Sequence, residues 1–93
     1  MNEDNKKLID ELCEMDSDFI NSFFKKGGDE MGALALNNSI ASFSQYLESK
    51  EGKFIPGMNL EYRYFMTTLL LKIDKKYLPA VMHSLFGVSQ NGK

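Results

Sequence analysis

Apolar residues in the middle of the chain recur at a spacing that strongly constrains its fold. Successive members lie three, four, three and four residues apart, which places them on one side of an α-helix. A row this narrow is typical of a seam where a helix packs on another helix or on a second copy of the chain. We call this row the central stripe, and its members are Ala33, Leu36, Ile40, Phe43 and Leu47.

The segment before the central stripe carries two neighbouring apolar rows, and together they predict a core-facing helix over residues 2–26. Gly27-Gly28 then ends this helix. Asp16 or Ser17 could act as an internal N-cap and divide it into two shorter helices, and the sequence leaves this question open. The first row consists of Leu8, Leu12, Met15, Phe19 and Phe23, and the second of Ile9, Cys13, Ile20 and Phe24.

Capping residues place three more helices along the chain. Asp29 begins a helix that contains the central stripe and runs to about residue 50. Asn59 begins another over residues 60–74, although alternating aromatic and Thr residues in that segment also allow a strand. Pro79 starts a last helix over residues 79–86, which Gly87 ends.

These elements predict an all-α fold in which four helices, or five if the first one divides, form a small compact bundle. The length of 93 residues suits one domain. We assign residues 1–88 to a single helical domain and residues 89–93 to a flexible C-terminal tail.

The sequence offers little material for catalysis or for metal binding. It has one His, one Cys, one Arg and no Trp, and it lacks the usual phosphate-loop, zinc and nucleophile motifs. Cys13 lies in an apolar row, where a small core residue is the ordinary interpretation, and no acid near His83 in sequence completes a metal site. We therefore predict no enzymatic activity, no cofactor and no metal.

Charge is distributed unevenly along the chain. Residues 1–30 carry a net charge of −5 and residues 50–93 a net charge of +4, within a total of −2. The basic half is too small to neutralise many phosphates, but Lys72, Lys75 and Lys76 follow an aromatic cluster and leave DNA binding as the alternative function. The acidic N-terminus, the lack of a membrane-spanning apolar run and the single Cys13 predict a cytoplasmic protein.

The function predicted from these features is that of a non-catalytic protein-binding module, such as a small inhibitor, adaptor or regulatory subunit. We expect another protein as the partner, and a homodimer formed through the central stripe. An apolar and aromatic loop region, in which Phe54 and Ile55 could instead tuck under the fold as a plug, is the candidate partner-binding surface. Its residues are Phe54, Ile55, Met58, Tyr62 and Arg63.

Overall fold

A computed structural model describes residues 2–87 and confirms the all-α class. Helix α1 spans Glu3–Glu51, α2 spans Leu60–Lys72 and α3 spans Leu78–Phe86, with short 3-10 helices at Pro56–Met58 and Lys75–Tyr77. No β-strand occurs in the described part of the chain. The predicted count of four or five helices is wrong, because the first two predicted helices belong to one helical element, α1, which is sharply kinked.

The kink in α1 lies at Gly28, inside the predicted Gly27-Gly28 stop. Gly28 has φ 79° and ψ −171°, a combination that is essentially restricted to glycine. A straight helix of 49 residues would be about 74 Å long, whereas the longest dimension of the molecule is 38 Å. Helix α1 therefore folds back at Gly28 into an N-terminal arm (residues 3–27) and a C-terminal arm (residues 29–51).

A glycine also allows the two arms to approach each other closely. A Cβ atom built on Gly32 of the C-terminal arm would lie 2.2 Å from ring atoms of Phe24 on the N-terminal arm. The Phe24 ring is itself buried and stacks on Tyr77, with ring centroids 4.6 Å apart. The arms can pack at this distance only because position 32 has no side chain.

Helix α2 packs against both arms. The segment for which the sequence allowed a helix or a strand is therefore a helix, Leu60–Lys72. The Asn59 side chain caps its first turn by accepting a hydrogen bond from the backbone N–H of Tyr62, at 2.7 Å. The helix ends at Lys72, because Ile73 is in an extended conformation. Phe65 and Leu69 face the arms and are fully buried.

The sequence left open whether the first helix divides at residues 16–18, and the structure shows that α1 continues through them. Ser17 is buried, and its hydroxyl donates a hydrogen bond of 2.7 Å to the backbone carbonyl of Lys72. Asn21 Oδ1 accepts a hydrogen bond of 3.0 Å from the backbone N–H of Asp74. Ser17 and Asn21 thus satisfy backbone groups at the end of α2 rather than capping a helix of their own.

Helix α3 packs against α1, and its Ser84 is hydrogen-bonded to Asn37 of the C-terminal arm. Pro79 lies in its first turn and Gly87 ends it in the left-handed conformation, as the sequence predicts. Its buried residues are Ala80 and Val81. The predicted tail at residues 89–93 lies outside the described residues.

Candidate functional site

An open apolar groove separates the two arms of α1. Its volume is about 580 Å³, within the range of known binding cavities. One wall belongs to the N-terminal arm, the other to the C-terminal arm, and α2 contributes one residue. The groove is lined by Leu8, Leu12, Asp16, Phe19, Ala35, Asn38, Ser39, Ser42, Phe43, Tyr46 and Phe65.

The N-terminal wall consists largely of the first apolar row of the sequence. The second row, which includes Cys13 and Ile20, enters the core and is fully buried. The first row is left partly uncovered: Leu8 is 43% exposed, Phe19 is 54% exposed and Met15, which does not line the groove, is 70% exposed. Exposed apolar side chains in a contiguous row are typical of an interaction surface.

The C-terminal wall is built from small or uncharged side chains. Ala35, Ser39 and Ser42 line it, and Tyr46 stands at one end. Residues 31–47 contain no charged side chain at all. A wall of this kind allows another polypeptide backbone to approach closely without displacing charged groups from water.

The floor of the groove is formed by two stacked aromatic rings. Phe43 of the C-terminal arm and Phe65 of α2 have ring centroids 4.2 Å apart and an interplanar angle of 13°. Both side chains are buried in the core. Because the floor is part of the packed core, the groove exists before any ligand binds.

One carboxylate interrupts this apolar surface. Of the groove-lining residues in the described part of the chain, Asp16 alone is charged. It is partly buried, and within residues 2–87 it has no hydrogen-bond or ion-pair partner. Asn38, on the C-terminal arm, also lines the groove and offers a side-chain amide.

The central stripe, which we predicted as a self-association seam, is largely occupied within one chain. Leu36, Phe43 and Leu47 are buried in the core, and Ile40 packs against it. Ala33 is partly buried and lines a second cavity, between the C-terminal arm and α3. Packing within the chain, which includes the stack of Phe43 on Phe65 of α2, therefore accounts for the stripe without a second copy. The homodimer stays a prediction, and one that would require a different surface.

The predicted partner-binding loop divides into a buried and an exposed part. Phe54 and Tyr62 pack against the core, with ring centroids 6.0 Å apart, so Phe54 is the plug that the sequence allowed. Ile55, Met58 and Arg63 are exposed, with Met58 at 79%. These three residues remain a candidate contact surface.

The single Cys and the single His of the sequence occupy different environments. Cys13 is fully buried, its thiol lies 3.5 Å from the backbone carbonyl of Phe65, and burial raises its pKa to about 11. At neutral pH this thiol stays protonated, so it is a poor nucleophile. His83 is on the surface of α3 and lines the second cavity, which Cys13 does not line.

The basic residues of the alternative function are only partly available. The ammonium group of Lys72 donates a hydrogen bond to the backbone carbonyl of Asp10, at 3.3 Å. Lys75 and Lys76 are exposed. On α3, the Ser84 hydroxyl accepts a hydrogen bond from Asn37 at 3.0 Å.

Comparisons with known proteins leave the groove as the main guide to function. No family model, curated protein or solved structure matches the chain. Residues 2–87 contain no group of three or more His, Cys, Asp or Glu residues arranged to hold a metal ion. Over the same residues, no helix combines the length and the apolar character needed to cross a membrane.

Proposed function

We propose that this chain is a cytoplasmic, non-catalytic protein-binding module, and that the groove between the arms of α1 accepts a helical segment of a partner protein. The observation that carries the proposal is the groove itself, a preformed apolar channel whose rim includes the exposed Leu8 and Phe19. Adaptors, inhibitors and regulatory subunits of this size commonly bind in this way.

The dimensions of the groove favour a helix as its occupant. From Leu8 to Phe19 the N-terminal wall runs for eleven residues, or about 16 Å, which equals three helical turns. A helix of that length presents three apolar anchors, one for each turn, to such a channel. The small residues Ala35 and Ser39 on the opposite wall let its backbone come close.

The apolar surface in the groove is large enough to support specific binding. Covering a Leu or Phe side chain completely is worth about 1.5–3 kcal/mol, and Leu8 and Phe19 are roughly half exposed. Anchors on the partner contribute similar amounts when they are covered. Because association and ordering consume much of this gain, we expect a moderate affinity. The apolar contribution to this affinity should not depend on the salt concentration.

The test is to compare three baits in pull-downs from the native host at moderate salt. Ser42→Trp fills the groove, whereas Ala41→Trp places the same bulk on an exposed position that does not line it. We expect wild type and Ala41→Trp to retain one protein stoichiometrically and Ser42→Trp to lose it, as read by mass spectrometry. Equal retention by all three baits would show that the groove is not the binding site.

A small DNA-binding regulator is the alternative, and the exposure of Arg63, Lys75 and Lys76 supports it. Its support is weaker because Lys72 and Ser84 already make hydrogen bonds within the chain. This alternative predicts that the same pull-downs recover nuclease-sensitive material at low salt, whichever bait is used. Charge reversal of Lys75 and Lys76 would then abolish recovery without unfolding the protein.

A further inference from the structure

Asp16 gives the groove a chemical preference that its apolar walls do not have. The carboxylate faces an otherwise uncharged channel and has no partner within residues 2–87. A carboxylate that loses water when a ligand covers it costs free energy unless the ligand supplies a hydrogen bond or a positive charge. An entirely apolar helix would therefore bind this groove at a penalty.

The charges around the groove point in the same direction. Residues 2–27 carry seven acidic residues against four lysines, and residues 31–47 are uncharged. The nearest positive charge after the uncharged segment is Lys50, whose ammonium group lies over the Tyr46 ring at one end of the groove, 5.8 Å from its centroid. Asn38 also lines the groove, and its amide oxygen is a second acceptor for a cationic donor.

We infer that the occupant of the groove is a cationic amphipathic helix, with a Lys or Arg that pairs with Asp16 between two of its apolar anchors. This inference rests on the proposed function and adds the chemistry of the partner to it. Leu12 and Phe19 lie four residues before and three residues after Asp16, which places them one turn away on either side. The partner's cation accordingly lies within one turn of the anchors that contact Leu12 and Phe19.

The experiment is a selection from a displayed library of helical peptides in which an apolar row is kept and the other positions are randomised. Wild-type protein is expected to enrich Lys or Arg at one position beside the row, and the Asp16→Lys variant is expected to enrich Asp or Glu there. Asp18→Lys is the matched control, because Asp18 is an exposed acid of the same arm that does not line the groove. It should select the same peptides as wild type.

Affinities of the selected peptides then separate the inference from the proposed function. For a wild-type peptide, Asp16→Asn should weaken binding by roughly 10- to 100-fold, the range expected for a lost hydrogen bond to a charged group. The inference alone would be overturned by peptides that lose binding to Ser42→Trp, show no preference for a cation and bind Asp16→Asn as tightly as wild type. If no selected peptide is sensitive to Ser42→Trp, the proposed function fails as well.

Discussion

Replacing Phe43 by Asp is expected to unfold the protein. Phe43 is buried in the core, and its ring is stacked on Phe65. Removing a buried Phe side chain costs about 3–5 kcal/mol, and placing an unpaired carboxylate there costs several kcal/mol more. The sum is comparable with the total stability of about 5–15 kcal/mol of a small domain, so we expect loss of helical circular dichroism at 25 °C.

Ala41→Asp is the matched control for this substitution. Ala41 is exposed on the same arm of α1, two residues from Phe43, so its Asp variant adds the same charge to solvent. Its cost is that of lower helix propensity, about 0.7 kcal/mol, and its thermal transition should stay cooperative. A Phe43→Asp variant with the helix content and cooperative melting of the control would contradict the described core.

Gly32→Ala is expected to destabilise the protein, although a Gly to Ala change within a helix ordinarily stabilises by up to about 1 kcal/mol. The added methyl group would meet the Phe24 ring, which stacking on Tyr77 prevents from moving away. The arms of α1 must then separate. We expect a loss of about 1–3 kcal/mol, measured as a lower midpoint of urea unfolding.

Gly57→Ala provides the comparison for this effect. No atom lies within 4 Å of a Cβ at Gly57, and its φ is not positive, so the change meets neither steric contact nor backbone strain. Its free energy of unfolding should stay within about 0.5 kcal/mol of wild type. If Gly32→Ala proved more stable than wild type, the close approach of the arms at Phe24 would be wrong.

The features of the fold that depend only on residues close together in sequence could be predicted. The Gly27-Gly28 stop, the Asn59 cap, and the start and end of α3 at Pro79 and Gly87 all rest on backbone preferences within a few positions. The same local logic left the role of Ser17 open. A Ser within a helical pattern commonly caps a new helix by bonding to nearby backbone groups. Here the Ser17 hydroxyl instead donates its hydrogen bond to the carbonyl of Lys72, 55 residues away.

The groove could not be predicted because it depends on which of two apolar rows is covered. Helical periodicity places Leu8 and Phe19 beside Ile9 and Ile20 on a single wide face. Only the packing of α2 and the fold-back at Gly28 decide that the isoleucines enter the core and that Leu8 and Phe19 remain exposed. The available signal was the unusual width of the apolar face, which exceeds what a short chain can bury.

The central stripe shows that a buried row can be predicted from sequence while the surface that covers it cannot. Its period correctly indicated a packed helix face, and Leu36 and Leu47 are fully buried. Periodicity does not distinguish a partner helix within the chain from a second copy, since both bury the same row. Here the row belongs to the core of one chain, where Phe43 stacks on Phe65 of α2.

The fold-back of α1 at Gly28 is the claim on which the groove and both proposals depend, and a distance between spin labels on the two arms tests it most directly. Glu11 and Gln45 are exposed positions on opposite arms. We expect a distance below 38 Å, the longest dimension of the molecule. A second pair at Glu11 and Lys25, on one arm, should give about 21 Å and serves as the internal reference. A distance of about 51 Å between the first two labels would indicate a straight α1 and would contradict the groove.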